Sequence, residues 1–263
     1  MASALIEGFI SKSGIKASDI TATDVSSSRL KMLSRRYKGI RVTSDNISAV
    51  RSADVIFLCV KPKDFEGVLS EIATYLNPSK HLVVSIAAGI TLDFIQTRLP
   101  RGARVIRTMP NTPISVGEGV VFIIGGKSAK RQDVDFVSKV LSPVALVIKV
   151  KDEKLINSAT AVSGSGPAYV YYFAEALIDA AMRIGFDERT ASAIVLKTFS
   201  GAVRMMEQGA KDNRKPGDLR ADVTSPGGTT FEAITSFEKS HFKTAVLKAV
   251  AAARRRAFEL CKN

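Results

Sequence analysis

One segment in the second half of the chain carries groups that bind small anions. It reads DVTSPGGTT, from Asp222 to Thr230. A Thr/Ser pair ahead of Pro226 is typical of a helix start with the proline at the first helical position. The two glycines leave their amides unshielded, and a helix N-terminus with bare amides suits a small anion such as a carboxylate. The same letters are equally typical of an ordinary helix start.

Short stretches of small or rigid residues follow apolar runs in the first half. They are Val60–Pro62 (VKP), Ser85–Gly89 (SIAAG) and Arg107–Pro113 (RTMPNTP). Ligands of open α/β sheets bind beyond the carboxyl ends of strands. Residues as small as Ala87, Ala88 and Gly89 let a ligand approach the backbone, whereas Pro62 stops a strand. A plain strand–helix loop explains any one stretch better, but the three together favour a cofactor site.

An acidic residue and a serine run follow the first predicted strand. Asp24 closes that strand, where an acid usually binds the ribose hydroxyls of NAD and repels the 2′-phosphate of NADP. Ser26, Ser27, Ser28 and Arg29 come next. Three hydroxyls and a guanidinium are good phosphate partners, although a serine run before a helix is also a plain N-cap signal. These residues alone leave NADP and NAD both open.

Alternating strand and helix signals must position these residues. Strands are predicted at Ile20–Val25, Ala53–Val60, His81–Ala87, Ala103–Thr108 and Ala145–Val150, with helices at Ser28–Arg36, Asp64–Leu76 and Leu92–Leu99. Runs of β-branched residues without polar alternation indicate strands covered on both faces, and hence a parallel sheet. The first ten residues carry apolar side chains at helical spacing, so the chain begins in a predicted helix.

Strand signals disappear after Asp152. Helices are predicted over 168–185, over 187–208 and twice after Pro226. The sequence therefore predicts an α/β domain over 1–151 and an all-helical domain over 152–263. Gly164 and Gly166 are interpreted as close-packing sites rather than a kink. The three tyrosines between 169 and 172 cannot share one helix face, so we expect some of them to meet another subunit.

Composition excludes several protein classes. The 263 residues are 46% hydrophobic and 24% charged, which is typical of a soluble globular protein. The apolar runs are too short to span a bilayer, and the N-terminus lacks the layout of a signal peptide. Cys59 and Cys261 form no disulfide framework, and two histidines give no metal pattern. We expect a cytoplasmic protein without a metal and without a membrane partner.

The net charge of +13 permits two ligand classes. Basic clusters could bind nucleic acid or attract small anionic ligands. The cluster Arg254–Arg256 lies at the end of a predicted terminal helix, where cations complement the helix dipole. A solvated charged surface explains these clusters best, so we expect no nucleic-acid partner.

Five motifs in this order carry a family resemblance. They are VKP, SIAAG, RTMPNTP, SGSGPAY and DVTSPGGTT. The sequence resembles the pyrroline-5-carboxylate reductases, which make proline by NAD(P)H-dependent reduction of a cyclic imine, and the similarity runs from Met1 to about Arg256. The resemblance implies a Rossmann-like dinucleotide-binding domain followed by an all-helical dimerisation domain. It also implies a homodimer that assembles into a larger homo-oligomer.

The resemblance also implies the site residues. The cofactor is expected at Ser26, Arg29, Asn46, Val60, Lys61, Pro62, Ala87, Ala88 and Gly89. The substrate, a small imino acid, is expected at Asp222, Val223, Ser225, Gly227 and Gly228, with Thr230 as the catalytic residue that hydrogen-bonds the imine nitrogen. NADPH is the expected cofactor on the family pattern, with NAD as the alternative.

The start of the chain departs from the family pattern. Family members carry a strand and a Gly-x-Gly-Asn-Met-Ala turn, and this chain begins at the Met-Ala of that motif, so we expect the first Rossmann strand to be missing. Each unpaired buried backbone group at the exposed strand edges costs roughly 1–3 kcal/mol.

Several interpretations of this start stay open. One is a reductase recorded without its first residues, and another is a working variant in which a different segment fills the slot. A third is a non-catalytic relative that serves as a dimerisation or partner-binding platform. A related imine or hydroxyacid reductase acting on another substrate is the enzymatic alternative.

Overall fold

The computed structural model describes residues 1–261 of the chain. These residues fold into two compact units. Met1–Pro167 together with the residues from Ala252 onward form one, which we call the sheet unit, and Ala168–Ala251 form the other, which we call the helical unit. All the strands among the described residues belong to the sheet unit.

The strands of the sheet unit form two separate sheets. The strands are β1 Thr21–Thr23, β2 Arg41–Thr43, β3 Val55–Leu58, β4 Leu82–Ser85, β5 Arg104–Pro110, β6 Gly119–Gly125 and β7 Ala145–Lys149. β1 and β2 pair in parallel as a small sheet, and the other strands form a sheet in the order β3-β4-β5-β6-β7. Within the described residues no hydrogen-bonded ladder joins β1 to β3.

The prediction of a parallel sheet is wrong at one strand pair. β3–β4, β4–β5 and β6–β7 are parallel, but β5 and β6 are antiparallel. Only residues 111–118 connect β5 to β6, and they form a short 3-10 turn at Thr112–Val116. A parallel pair needs a crossover of a dozen or more residues, so this connection can return the chain only in the antiparallel direction.

Helices follow most of the strands. They are α1 Ala2–Ser11, α2 Ser27–Arg36, α3 Asn46–Ser52, α4 Phe65–Ile72, α5 Leu92–Arg98, α6 Arg131–Leu141 and α7 Lys154–Ala159. The predicted helix at the start of the chain is confirmed by α1. The sequence patterns did not predict β2, α3, β6 or α6. β2 and α3 are too short to show a clear hydrophobic period. α6, in contrast, carries Val134, Val137 and Leu141 at helical spacing, so its signal was available in the sequence.

Polar caps end the strands and start the next helices. Ser26 Oγ accepts a hydrogen bond from Arg29 N at 3.5 Å at the start of α2. Asp45 Oδ1 accepts from Ser48 N at 3.0 Å at the start of α3. Such caps satisfy the free amides of a first helical turn. They fix the points where the chain leaves the carboxyl edge of the small sheet.

The core covers both faces of the larger sheet. Phe65 and Leu69 of α4 belong to a buried cluster with Val83 of β4. A second buried cluster contains Val84 of β4 and Val121 of β6 together with side chains of α1 and α6. Neighbouring β4 residues thus enter different clusters, as strand alternation requires. The prediction of strands covered on both faces is confirmed for β4.

Helix α1 packs against both sheets. Phe9 belongs to the core of the larger sheet, where its ring centre lies 5.3 Å from that of Phe57 on β3. Ile6 belongs to a third cluster with Leu33 of α2, and Ala22 of β1 packs against this cluster. α1 therefore links the sheets through side-chain packing. The place between β1 and β3, which no ladder bridges in the described residues, is where we expected the first Rossmann strand to be missing.

The helical unit has a cluster of aromatic rings and an apolar surface. Its helices are α8 Gly166–Arg183, α9 Glu188–Lys211, α10 Pro216–Asp222, α11 Thr229–Lys239 and α12 Phe242–Glu259, of which α8 and α12 also reach into the sheet unit. The rings of Phe173, Phe199, Phe237 and Phe242 lie against one another, with centroids 5.3–6.3 Å apart. Many apolar side chains are exposed, among them Tyr172 at 75%. In the described part of the chain no helix meets the length and apolarity needed to cross a membrane.

Candidate functional site

The ends of β3 and β4 bring two of the predicted cofactor segments together. Val60–Pro62 follow β3, and Ala87–Gly89 follow β4. Ile86 N donates to Leu58 O at 3.3 Å, which extends the pairing of the strands to this edge. Val60 packs against the same buried cluster to which Ala87 belongs. Lys61 and Pro62 are exposed, so this edge is open to a ligand.

The loop after β4 offers mainly its backbone. Ala87 is 5% exposed and its side chain belongs to the core, so we expect this residue to contact a ligand through its peptide groups. Ala88 and Gly89 are half-buried. Gly89 has a φ of 81°, a left-handed conformation that side chains disfavour. The glycine is therefore required by the shape of the loop.

A second predicted segment follows the small sheet. Asp24 is held by its own loop, because Ser26 N donates to Asp24 Oδ1 at 2.8 Å and Arg29 Nη1 lies 3.5 Å from Asp24 Oδ2. The hydroxyls of Ser26 and Ser28 are 2.8 Å apart. The side chain of Arg29 is 69% exposed. This corner presents two hydroxyls and a guanidinium to solvent while the carboxylate is already paired.

Asn46 lies at the carboxyl edge of the small sheet, as Asp24 and Ser26 do. It is the first residue of α3, after β2, and β1 and β2 pair in register with Thr23 opposite Thr43. Asn46 Nδ2 donates to Glu71 Oε2 at 2.9 Å. The side-chain carbonyl oxygen of Asn46 is not used in this bond and can accept a hydrogen bond from a ligand.

The predicted substrate residues all lie in the helical unit, whereas the predicted cofactor residues all lie in the sheet unit. Asp222 ends α10, and Ser225–Gly228 form a turn in which Gly228 N donates to Ser225 O at 3.0 Å. Gly227 has a φ of 70°. Helix α11 begins at Thr229 with Gly228 as its N-cap. The turn therefore leads directly into the first turn of α11.

The prediction that Pro226 occupies the first helical position is wrong. Pro226 lies in the turn before the N-cap, because Gly227 adopts a left-handed conformation that a helix cannot continue through. Gly228 makes no side-chain cap, and the first intrahelical bond runs from Glu232 N to Gly228 O at 3.2 Å. The amides of residues 229–231 precede this bond and stay available to a ligand.

Other groups of this turn are engaged or exposed. Asp222 Oδ2 pairs with Arg214 Nη2, and this hydrogen bond raises the pKa of Arg214. Val223 is 61% exposed. The hydroxyl of Thr230, at the second position of α11, has no hydrogen-bond partner among the described residues. It is therefore free to bind a ligand.

The motif RTMPNTP contributes a polar anchor that sequence reasoning missed. Asn111 is buried; its Nδ2 donates to Ser163 O at 3.0 Å, and its Oδ1 accepts from Val120 N at 2.8 Å. A Cβ on Gly164 would lie 2.8 Å from Met109 Cε, so the close-packing interpretation is confirmed for Gly164. A Cβ on Gly166 would meet no atom within 4 Å outside its own helix backbone and chain neighbours, so the close-packing interpretation is wrong for Gly166. The sequence signal for Asn111 was a polar residue between two prolines, directly after a predicted buried strand.

Two residues of the sheet unit that could act as a nucleophile or a base, Cys59 and His81, have pKa values shifted by burial. Burial raises the pKa of the Cys59 thiol to about 12, so this thiol stays protonated. Burial lowers the pKa of His81, whose Nδ1 accepts from Asn77 N at 2.9 Å in a structural turn. Within residues 1–261 no group of three or more His, Cys, Asp or Glu is placed to hold a metal ion.

Comparison with known proteins identifies relatives of the whole chain. Residues 153–260 match a family described as pyrroline-5-carboxylate reductase dimerisation, and residues 1–89 match one described as NADP oxidoreductase coenzyme F420-dependent. The chain is 39% identical to a pyrroline-5-carboxylate reductase of Corynebacterium melassecola, covering 99% of this chain and 95% of the relative. It is 38% identical to that of Methanosarcina acetivorans, covering 100% of this chain and 95% of the relative.

Solved structures give the same result. A pyrroline carboxylate reductase of Plasmodium falciparum with NADP bound superposes with a TM-score of 0.88 at 31% identity, covering 98% of this chain and 94% of the other. A pyrroline-5-carboxylate reductase from Coxiella burnetii gives a TM-score of 0.89 at 35% identity, covering 100% and 96%. These similarities confirm the predicted Rossmann-like domain followed by a helical dimerisation domain. The chain belongs to the pyrroline-5-carboxylate reductase family.

Proposed function

We propose that this protein catalyses the NADPH-dependent reduction of 1-pyrroline-5-carboxylate to L-proline, the last step of proline biosynthesis. The observation that carries the proposal is the N-terminus of α11. It combines uncapped amides with the unbonded hydroxyl of Thr230. Relatives that match nearly their whole length bear the name of this activity.

The substrate's carboxylate would lie at the start of α11. The N-terminus of a helix carries partial positive charge, and amides without an intrahelical partner point toward such an anion. Ser225, Gly227 and Gly228 form the turn that shapes this place. Asp222 and Val223 would line its approach. Held by its carboxylate, the ring would present its imine nitrogen to Thr230.

The chain's side chains have a limited chemical task in this reaction. Bound NADPH would supply the hydride that C5 of the substrate accepts. The ring nitrogen takes up a proton, donated by Thr230 Oγ1 or by water, and the hydroxyl fixes the orientation of the imine. Alignment in a dry pocket is the protein's main contribution. A protonated Cys59 agrees with a mechanism that uses no nucleophile.

The corner after β1 favours NADP over NAD. An exposed guanidinium on Arg29 and the hydroxyls of Ser26 and Ser28 suit a 2′-phosphate. Asp24, which would repel a phosphate, is paired with Arg29. Asn46, Val60, Lys61, Pro62, Ala87, Ala88 and Gly89 would complete the cofactor site. NAD stays the alternative because Asp24 could also bind ribose hydroxyls.

The helical unit would form a homodimer that assembles into a larger homo-oligomer. Exposed apolar side chains are abundant there, including Tyr171 and Tyr172. Large apolar patches of this kind are typical of subunit interfaces. We propose 1–151 as the dinucleotide-binding domain and 152–263 as the substrate and dimerisation domain. Both cysteines are unpaired, which fits a reducing compartment such as the cytoplasm.

The role of Thr230 is tested by T230A. We expect turnover with 1-pyrroline-5-carboxylate to fall by roughly 10²- to 10³-fold, the usual cost of one donor to a reacting group, with little change in NADPH affinity. Thr244→Ala, an exposed threonine on α12, serves as the control and should leave both unchanged. Equal losses of turnover and NADPH affinity in T230A would exclude the role given to this hydroxyl.

A further inference from the structure

Arg107 places a charge in the middle of the sheet core. It lies on β5, and its side chain is 1% exposed. Burying a charged pair costs several kcal/mol per ion, and well-packed apolar residues are often as stable in such positions. Arg107 Nε is moreover buried without a hydrogen-bond partner among the described residues. Stability alone is therefore a poor explanation for this residue.

The guanidinium of Arg107 reaches the loop after β4 through Glu153. Arg107 Nη1 donates to Glu153 Oε1 at 2.6 Å. The same carboxylate oxygen accepts from Leu92 N at 2.7 Å. Leu92 is the first residue of α5 and lies three positions after Gly89. The pair thus fixes the point where the loop enters α5.

A second path from Arg107 leads to the same loop. Arg107 Nη2 donates to Asn157 Oδ1 at 2.9 Å, and Cys261 Sγ donates to that oxygen at 3.3 Å. Leu260, next in the chain, packs directly on the loop, since a Cβ on Gly89 would come within 2.9 Å of Leu260 Cβ. The loop is therefore held at its end and on its glycine by contacts that converge on one guanidinium.

We propose that Arg107 is a positioning residue for hydride transfer. Through Glu153 and Asn157 it holds the Ala87–Gly89 loop in the conformation that receives the nicotinamide. The inference rests on the proposed function, which assigns this loop to the cofactor. Arg107 itself is enclosed in the core, so it acts only through these neighbours. Displacements of about 1 Å remote from the reacting atoms can cost roughly 100-fold in rate, which sets the scale of the effect.

The test compares R107M with R104M. Arg104 is a matched control because it lies on the same strand, pairs with Asp133 at 2.7 Å and donates to the carbonyls of Pro78 and Lys80. Amide hydrogen exchange of residues 86–92, NADPH affinity by calorimetry and steady-state kinetics are measured on each folded variant. We expect faster exchange in 86–92 and a roughly 10- to 100-fold lower kcat/KM for NADPH in R107M. R104M should change neither.

Conservative variants separate positioning from stability. R107K keeps the charge and one donor group, so it should recover part of the lost kcat/KM even if its thermal midpoint resembles that of R107M. E153Q keeps an acceptor for Leu92 N but loses the charge-assisted bond to Arg107. We therefore expect faster exchange of residues 86–92 and a lower kcat/KM for NADPH, both to a smaller extent than in R107M. If R107M does not fold, E153Q decides the question. Unchanged exchange and kinetics in E153Q would then overturn the proposal.

The failure of this inference differs from failure of the proposed function. Exchange in 86–92 that is no faster in R107M than in R104M overturns the positioning role, whatever the activity. Wild-type protein that binds NADPH but does not oxidise it with 1-pyrroline-5-carboxylate overturns the proposed function. In that case faster exchange and weaker NADPH binding in R107M would still support its control of the loop.

Discussion

Substituting Gly228 by alanine should impair substrate binding without destabilising the protein. A Cβ at Gly228 would lie 2.5 Å from Ser225 Oγ and 3.1 Å from Ser225 O. Gly228 has φ −81° and ψ 170°, which alanine adopts without strain. The hydroxyl of Ser225 can rotate away, and the carbonyl contact at 3.1 Å needs a backbone shift of only a few tenths of an ångström, so we expect a small cost in unfolding free energy. That movement removes a hydroxyl from the proposed carboxylate site.

The size of the effect follows from the lost hydrogen bond. A bond to a charged group contributes about 1.5–3 kcal/mol. At about 1.4 kcal/mol per factor of ten, kcat/KM for 1-pyrroline-5-carboxylate should fall roughly 10- to 100-fold in G228A. NADPH affinity and the thermal midpoint should change little. Gly217→Ala in α10 is the control for an added methyl group, because a Cβ there would meet no atom within 4 Å outside its own helix backbone and chain neighbours.

A double-variant comparison makes this prediction stricter. S225A removes the same hydroxyl, so S225A and G228A act on one interaction and should not be additive. Steady-state kinetics of both single variants and of S225A/G228A measure the coupling. An unchanged KM for the substrate in G228A, or effects that multiply in the double variant, would refute the role given to this turn.

Further predictions concern the cofactor corner and two buried groups. R29A should raise the KM for NADPH roughly 10-fold and leave that for NADH nearly unchanged, because the guanidinium would bind the 2′-phosphate; kinetics with both cofactors decide this. Burial, with a hydrogen bond to Glu7, raises the pKa of Tyr37 from 10.0 to about 12. The folded state therefore retains a proton that the unfolded state loses above pH 10, so this contribution to stability is complete below pH 10 and is lost as pH rises through about 12. Between about pH 9 and about pH 11, the free energy of unfolding measured with urea should fall less for Y37F than for wild type. Cys59 should resist alkylation at about pH 8 until the protein is unfolded, as mass spectrometry of the labelled peptide would reveal.

Local signals made much of the sheet unit predictable. Buried strands such as β4 have β-branched runs without polar alternation, and Ser26 and Asp45 cap the helices that follow their strands. Four of the five predicted strands were longer than the observed ones, because residues such as Cys59 and Val60 are apolar but lie beyond the last paired residue of their strand. β5 instead continues to Pro110, past the predicted end at Thr108. An apolar run in the sequence indicates which residues are buried. The length of a strand depends in addition on how many residues its partner strand can pair with.

The direction of β6 and the network of Arg107 depend on tertiary contacts. β6 is antiparallel because its connection to β5 is short, and nothing in its own seven residues encodes that direction. Arg107 lies within a strand that was predicted to be buried, so the sequence already showed a charged residue at a position where an apolar one was expected. Its partners Glu153 and Asn157 are 46 and 50 positions away, so only the fold reveals them. Long-range polar pairs of this kind have no periodic signature.

The sequence predicted which residue types form the turn Ser225–Gly228 of the proposed substrate site, but not the conformation of that turn. The glycines, hydroxyls and helix start are all present, but the helix begins after Gly228 rather than at Pro226. A left-handed Gly227 separates the proline from the helix. Sequence alone gives no sign of this conformation, because a glycine permits it without requiring it.

The most direct test of the central claim is NADPH oxidation by the purified protein with and without 1-pyrroline-5-carboxylate, with proline identified as the product. The assay should include a second chain extended at its N-terminus by a strand and a Gly-x-Gly-Asn turn, since β1 and β3 share no ladder in the described residues. We predict saturable, substrate-dependent oxidation and stoichiometric proline. Folded, dimeric protein that oxidises no NADPH in either form would contradict the account and favour a non-catalytic platform.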